Sequence, residues 1–322
     1  MQAPIFIFSL PRSGSTLLQR VLMSHDDVCS VAEPWLLLPQ IYTLKETGTL
    51  SEYSSLTTHL AIQDFINNLP NKDQDYNASL KTFILDLYAK QCQNNERYFL
   101  DKTPRYYLII DDIVNLFPEA KFIFLFRNPI HAYASAITTW GNNRFNKLRS
   151  SYDDIVLGTK LLSEGYTKHQ DKSIAVNYES FVTNFETELK RITAYLDLDL
   201  NHSILNNFSE QNTKGSLGDP TGVTKYTTIS NKSIDAWKQV FNSSIRKKYA
   251  LWLLKEISAK DLETQGYNKD NIIEEIKRLN SKNNHLILKD SIDYFSNFLT
   301  RTFKLNLVFS SKFSWIKKKY LS

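Results

Sequence analysis

The sequence contains very little cysteine. Only Cys29 and Cys92 occur among its 322 residues. Two cysteines so far apart provide neither a disulfide framework nor the close spacing of a zinc site or a redox motif. We therefore expect a protein of a reducing compartment, in which both thiols serve as small core residues.

Long apolar runs are also missing. The N-terminal run Ile5 to Phe8 is short and lacks the charged flank of a signal peptide. No run reaches the roughly 20 apolar residues that cross a bilayer. The sequence therefore predicts a cytoplasmic protein without a transmembrane segment. The tail from Lys304 mixes Phe, Trp and Leu with lysines. A docked terminal helix is the favoured interpretation of this tail, and weak contact with a membrane surface is the alternative.

Neither sign of charge dominates the chain. There are 39 Lys and Arg against 34 Asp and Glu, which gives a formal net charge of +5. Nucleic-acid binding requires basic residues clustered on one face, so we expect no nucleic-acid partner. A mildly basic protein suits a small anionic ligand.

Apolar segments alternate with segments of helical spacing over the first two hundred residues. The predicted strands are 4–10, 97–101, 121–126 and 173–177, and the predicted helices are 14–24, 78–93, 105–116, 129–140, 152–169 and 179–196. This alternation predicts the α/β class, a three-layer fold with a central parallel β-sheet flanked by helices. Residues 205–235 have no clear periodicity, and long loops of this kind are usually functional. Helices dominate from residue 236 onward.

The segment Pro11 to Thr16, with the sequence Pro-Arg-Ser-Gly-Ser-Thr, joins the first strand to the first helix. A loop in this position offers backbone N–H groups and the positive end of the helix dipole to a phosphate. It differs from a Walker A loop, because Ser9 stands in place of the first glycine and Ser15 in place of the lysine. An ordinary strand-to-helix turn is the alternative.

A second basic position follows the strand 121–126. Arg127 ends that strand, and Ser135 lies eight residues later in the next helix. Ligands of parallel sheets collect at the carboxyl ends of the strands, so Arg127 should lie at the same edge as the loop 11–16. The alternatives are a surface ion pair for Arg127 and a helix-packing role for Ser135.

These two motifs, with Asp101 to Arg105 and Val176 to Glu179, resemble the motifs of sulfotransferases that use 3′-phosphoadenosine-5′-phosphosulfate. The resemblance covers residues 4–200 and implies the P-loop NTPase-like sulfotransferase fold. We expect a sulfotransferase domain over 1–280 and a helical C-terminal extension over 281–322, packed on the same domain.

The resemblance also assigns the contacts with the donor. Arg127 and Ser135 would hold the 3′-phosphate, and Tyr178 would lie near the adenine, with a core aromatic as the alternative. Lys225 and Lys232, ahead of Trp237, are candidates for the phosphates, with solvated lysines as the alternative. The 5′-phosphosulfate end would be held by Arg12, Ser13, Gly14, Ser15 and Thr16.

Catalysis requires a base for the acceptor proton and cations for the transferring group. The resemblance is closest to the branch with a glutamate base, which acts on protein tyrosine and polysaccharides, and this favours Glu33. It further implies that Lys102 and Arg12 stabilise the transition state. His25 and His131 are rival bases, and for each a structural role is the alternative.

The predicted reaction moves a sulfuryl group to a hydroxyl or amine of a small-molecule or glycan acceptor, without a metal. It leaves 3′,5′-adenosine bisphosphate as the product. Two other functions stay open at this stage. One is a P-loop nucleotide kinase or nucleoside triphosphatase, against which the missing Walker lysine argues. The other is a non-catalytic nucleotide-binding protein on the same fold.

Overall fold

An apolar segment buried along its whole length forms the first strand, and it lies at the centre of the sheet. The computed structural model describes residues 3–49, 51–144, 149–200, 211, 232–280 and 287–303. Its strands are β1 Ala3–Ser9, β2 Val28–Ser30, β3 Tyr98–Asp101, β4 Lys121–Phe126 and β5 Ser173–Asn177.

Helices follow or separate these strands. In the first two thirds of the chain they are α1 Ser15–Leu22, α2 Leu37–Tyr42, α3 Ser55–Asn67, α4 Asp73–Gln91, a 3-10 turn Pro104–Ile109, α5 Ile110–Leu116, α6 Pro129–Thr139, α7 Arg149–His169, a second 3-10 turn Gln170–Lys172, α8 Tyr178–Thr183 and α9 Phe185–Leu196. The last third contains α10 Lys232–Val240, α11 Ser244–Lys255, α12 Ala259–Thr264, α13 Lys269–Arg278 and α14 Ile287–Thr302.

The five strands pair in the order β2-β3-β1-β4-β5, and every pairing is parallel. The central parallel sheet and the α/β class are thus confirmed. Strand β1 lies between β3 on one side and β4 on the other. The loop after β1 is therefore the point at which the strand order reverses. Ligands of doubly wound sheets bind at such a point.

The chain divides into two compact units. The first comprises Met1–Arg127 and Leu161–Asn231, and the second comprises Asn128–Lys160 and Lys232–Ser322. The first unit contains the whole sheet, whose core is a stack of aromatic rings that includes Phe6, Phe8 and Phe122. In the second unit Trp237 is buried against His131. The domain boundary expected at residue 280 stays a prediction.

The prediction that the two cysteines are free core thiols is wrong. Cys29, in β2, and Cys92, directly after α4, form a disulfide with their Cα atoms 5.6 Å apart. Both are half-buried rather than part of the core. The parallel pairing of β2 with β3 brings these positions together across 63 residues of sequence. Two bonded cysteines give no reason to expect a reducing compartment. The cytoplasmic location stays a prediction.

Among the described residues, none of the helices combines the length and the apolar character that crossing a membrane requires.

Candidate functional site

The loop between β1 and α1 has the backbone of an anion cradle. Arg12 and Gly14 both have positive φ, at 66° and 87°. The loop closes through a hydrogen bond from the Ser13 N–H to the Leu10 carbonyl, and Gly14 caps α1 without a side chain. Ser15 and Thr16 then form the first turn of α1, where helical N–H groups lack intrahelical acceptors. The predicted phosphate loop therefore lies at a helix N-terminus, at the reversal point of the sheet.

Ser13 provides a test of whether this loop suits a phosphate. Its hydroxyl oxygen is buried and has no hydrogen-bond partner among the described residues. A buried hydroxyl of this kind is costly unless a ligand or water accepts its hydrogen bond. The loop residues therefore fit the phosphosulfate end of the predicted donor.

Two of the predicted donor-binding residues lie against this loop. Arg127, directly after β4, donates from Nη1 to the Arg12 carbonyl at 2.9 Å. Its guanidinium also lies over the Tyr178 ring, 4.3 Å from the centroid. The same ring packs against Gly14, where an added Cβ would lie 2.2 Å from Cε2 of Tyr178. Strands β1, β4 and β5 thus bring Arg12, Gly14, Arg127 and Tyr178 together.

The other predicted donor contacts are not brought to this cluster by any described feature. Ser135 lies on α6, which belongs to the second unit, and it is half-buried. Lys225 lies outside the described residues. Lys232 is the first residue of α10. The roles of these three residues stay predictions.

Glu33 and Lys102 form an ion pair. Lys102 Nζ lies 2.9 Å from Glu33 Oε1, and the two side chains are 1% and 15% exposed. Lys102 directly follows β3, and Glu33 comes three residues after β2. Because β2 and β3 are adjacent and parallel, both residues lie at the carboxyl edge of the sheet. Two of the three residues predicted to carry out catalysis are therefore in contact.

Trp35 holds the other oxygen of Glu33. Its indole N–H donates to Glu33 Oε2 at 3.2 Å, and its backbone N–H donates to Thr103 Oγ1 at 3.2 Å. Trp35 has φ 55°, which is unfavourable for a bulky residue. Such backbone strain persists only where the surroundings enforce it, and it concentrates at functional sites.

A network of hydrogen bonds around the buried carboxylate of Asp101 lies next to this ion pair in the chain. Asp101 is fully buried at the end of β3 and accepts hydrogen bonds from Tyr88 Oη, Tyr106 Oη and Thr103 Oγ1. Tyr106 in turn accepts the backbone N–H of Leu37. Burial raises the pKa of Asp101 to about 6, and the three hydroxyl donors oppose that rise. The network therefore links the residues beside Lys102 to the segment that carries Glu33.

The short edge strand β2 is fixed from α1 as well. Gln19, buried on α1, donates to Ser30 Oγ and to the Val31 carbonyl, both at 2.7 Å. Ser30 Oγ donates in turn to the Leu100 carbonyl at 2.7 Å. The chain between β2 and Glu33 is thus attached both to the helix of the phosphate loop and to β3.

The two rival bases have structural contacts. The ring of His25 lies between the Asp199 carbonyl, 3.1 Å from Nε2, and the Asp27 N–H, which donates to Nδ1 at 3.1 Å. His131 is buried on α6 and stacks on Trp237 with ring centroids 4.9 Å apart. These contacts favour the structural alternative for both histidines.

Sequence reasoning missed Trp35, Asp101, Gln19 and Tyr106 as parts of the site. Asp101 and Tyr106 lie in or beside a segment that resembled the family, but only Lys102 carried an expected role. The contact of Trp35 with Glu33 depends on a left-handed backbone that no local pattern indicates. The contact of Gln19 depends on β2, which is too short to be recognised from its sequence.

Comparison with known proteins gives consistent relatives. The chain is 26% identical over 260 residues to the nodulation protein NoeE of Sinorhizobium fredii. This alignment covers 72% of this chain and 59% of that protein. It is 24% identical over 204 residues to protein-tyrosine sulfotransferase 1 of Danio rerio, in an alignment that covers 62% of this chain and 55% of that protein. The chain thus spans less than two thirds of the length of these relatives.

The fold has a solved counterpart. The sulfotransferase domain from the curacin biosynthetic pathway superposes with a TM-score of 0.52 at 22% identity, over 80% of this chain and 97% of that domain. This likeness confirms the predicted P-loop-like sulfotransferase fold. The sequence profile of the sulfotransferase family matches residues 4–202, which is more than half of the chain. The chain therefore belongs to the sulfotransferase family.

Proposed function

We propose that this protein transfers a sulfuryl group from 3′-phosphoadenosine-5′-phosphosulfate to a hydroxyl or amine of a small-molecule or glycan acceptor. The observation that carries the proposal is the contact between Glu33 and Lys102 at the carboxyl edge of the sheet. A base and a cation meet there, one strand away from a loop suited to phosphate. Membership of the sulfotransferase family supports the same chemistry.

The donor would be held by the loop and by the cluster around Arg127. Ser13 offers a buried hydroxyl and α1 offers its N-terminal N–H groups to the 5′ phosphate. Arg127 offers a planar cation suited to the 3′-phosphate. The Tyr178 ring is only 1% exposed and packs against Gly14 and Arg127, so it would hold these two donor-binding groups in place, and its predicted position near the adenine stays a prediction. Separate groups would thus hold the two ends of the donor.

Glu33 would accept the proton of the acceptor hydroxyl or amine. As the acceptor atom forms its bond to sulfur, the bond from sulfur to the 5′-phosphate oxygen breaks, and the electron pair leaves with the phosphate. Lys102 and Arg12 would stabilise the negative charge that develops on the transferring group and the phosphate. Trp35 and Lys102 each hold one carboxylate oxygen of Glu33, which fixes its orientation before the acceptor binds.

The direct test is transfer of labelled sulfate. The protein would be incubated with labelled donor and a panel of acceptors that includes oligosaccharides, phenols, alcohols and a tyrosine peptide, with and without EDTA. We expect a labelled acceptor whose yield does not depend on EDTA, because side-chain cations balance the charge. The tyrosine peptide is included because some relatives are protein-tyrosine sulfotransferases.

Two results would contradict the proposal. Magnesium-dependent consumption of ATP, abolished by EDTA, would favour a P-loop kinase or triphosphatase. Tight binding of 3′,5′-adenosine bisphosphate without transfer to any acceptor of the panel would favour a non-catalytic nucleotide-binding protein.

A further inference from the structure

Helix α14 presents its charged and apolar side chains the wrong way round for a helix on a protein surface. Asp290 and Asp293 are buried, at 1% and 0% exposed. The apolar residues of the opposite face are exposed, with Leu288 at 74%, Ile292 at 57% and Phe295 at 61%. An amphipathic surface helix normally buries its apolar stripe. The exposed stripe continues to Phe298, at 52%, and adjoining exposed apolar side chains of this kind mark interaction surfaces.

Two ion pairs fix this orientation. Arg246 of α11 binds both carboxylate oxygens of Asp290, from Nε at 2.8 Å and from Nη2 at 3.0 Å. Arg144 binds both oxygens of Asp293, at 3.2 and 2.7 Å. Rotating α14 to bury its apolar stripe would leave buried charges uncompensated, which is strongly destabilising. The apolar stripe is therefore held outward by the second unit itself.

The net positive charge of the chain is concentrated in the sequence that follows α14. Residues 304–322 contain five lysines and no Asp or Glu. The first 303 residues therefore contain 39 − 5 = 34 basic and 34 acidic residues, a formal net charge of zero. The net charge of +5 thus lies entirely in the nineteen residues that follow the exposed stripe, where Phe, Trp, Leu and Ile are interspersed with the lysines.

We propose that the exposed apolar stripe of α14 is a docking surface for an anionic phospholipid bilayer, and the lysines that follow it in the sequence supply the matching charge. Helices that lie in a membrane interface insert an apolar face among the acyl chains while basic residues contact anionic headgroups. Each lysine near such a surface contributes about 1 kcal/mol of attraction. A partner protein would have to match the stripe and an adjoining cationic segment together, whereas an anionic bilayer presents both properties over its whole area.

Co-sedimentation with vesicles tests this proposal on the chain of 322 residues. One set of vesicles would contain phosphatidylcholine alone, and the other would include a quarter of phosphatidylglycerol. We expect at least tenfold stronger partitioning to the anionic vesicles, reduced by high salt. The variant L288S/I292S/F295S should bind the anionic vesicles about 10-fold to 100-fold more weakly, since three apolar side chains no longer insert. The variant K317Q/K318Q/K319Q should lose most of the preference for anionic lipid.

The control substitutes three exposed apolar residues elsewhere. L56S/L60S/F65S alters α3, whose Leu56, Leu60 and Phe65 are 50%, 59% and 64% exposed. It should bind vesicles like the wild type. The single variant Leu288→Ser changes the most exposed of these positions and should cause a smaller loss of vesicle binding. It keeps the test valid if the triple variant folds poorly.

Three results would overturn the proposal. The wild type could remain in the supernatant with both kinds of vesicle. The α14 variant could bind as strongly as the wild type. Light scattering could show a wild-type dimer and a monomeric α14 variant, with no lipid binding by either, in which case the stripe belongs to a second copy of the chain.

Discussion

Both the backbone conformation and the packing at position 14 require glycine. Its φ of 87° favours glycine, and the Tyr178 ring occupies the space that a Cβ would need. We expect Gly14→Ala to displace the ring or the loop and to weaken binding of 3′,5′-adenosine bisphosphate at least tenfold, as measured by calorimetry. Gly48→Ala is the matched control, because Gly48 has φ 101° and a Cβ there would meet the Tyr42 ring. Equal loss of binding in both variants would show that the effect is not specific to the loop.

The ion pair between Glu33 and Lys102 allows a second prediction at this scale. Glu33→Gln and Lys102→Ala should each lower turnover by about 10²–10³, because one removes the base and the other removes a preorganised cation. Donor binding should survive in both variants. The control is Lys45→Ala, which breaks an ion pair with Asp112 of similar length, 3.0 Å. Wild-type turnover in either site variant would refute the role assigned to that residue.

At the scale of elements, the network of Asp101 joins β3 to the segment before α2. The pKa of Asp101 is raised from 3.8 to about 6, first by burial. The unfolded chain loses this proton near pH 4, whereas the folded chain keeps it until about pH 6. The folded state therefore binds more protons in this window, and the contribution of Asp101 to stability falls as the pH rises through it.

The measurement is the difference in free energy of unfolding between the wild type and Asp101→Asn, from denaturant titrations at several pH values. The free energy of unfolding of the wild type should fall relative to that of Asp101→Asn between about pH 4 and about pH 6. Above that range the difference between the two proteins should be constant. Asp197→Asn is the control, since a hydrogen bond from Lys121 lowers the pKa of Asp197, and its effect should be constant over that range. A constant difference for Asp101→Asn would contradict the raised pKa.

The sheet was largely predictable at this scale, because buried parallel strands are apolar on both faces and stand out in sequence. The predicted strands 121–126 and 173–177 coincide with β4 and β5, and the segment 4–10 differs from β1 by one residue at each end. The three-residue edge strand β2 was missed because so short a segment has no period. The single helix predicted over 179–196 is two helices separated at Asn184, whose φ of −121° and ψ of 46° are not helical.

At the scale of the whole molecule, donor binding should raise global stability. A saturating ligand that binds only the folded state stabilises by about 2.7 kcal/mol at one hundred times its Kd. We expect 3′,5′-adenosine bisphosphate to raise the melting temperature more than adenosine 5′-monophosphate does, and Arg127→Met to remove that difference. The control is Arg97→Met, because Arg97 also stacks on a tyrosine, Tyr98, with 5.2 Å from its guanidinium to the ring centroid. A difference that persists in Arg127→Met would place the 3′-phosphate elsewhere.

The candidate site was predictable in so far as it follows from topology. Parallel strands bring their carboxyl ends to one edge, so residues directly after strands, such as Lys102 and Arg127, could be assigned to that edge. Contacts that depend on the path of irregular backbone could not be foreseen. The disulfide of Cys29 with Cys92 depends on the pairing of β2, which is too short to be recognised in the sequence, so two free thiols were expected in its place.

Trp35 is a position at which selection for stability and selection for activity should diverge. A tryptophan at φ 55° costs on the order of 1 kcal/mol relative to glycine, which adopts this conformation freely. In a library randomised at residue 35, survivors of heat challenge should be enriched in glycine and asparagine. Survivors of a screen for sulfated product should retain tryptophan, because its indole N–H donates to Glu33 Oε2 and orients the proposed base. On this proposal, Trp35 lowers thermal tolerance in exchange for an oriented carboxylate at Glu33.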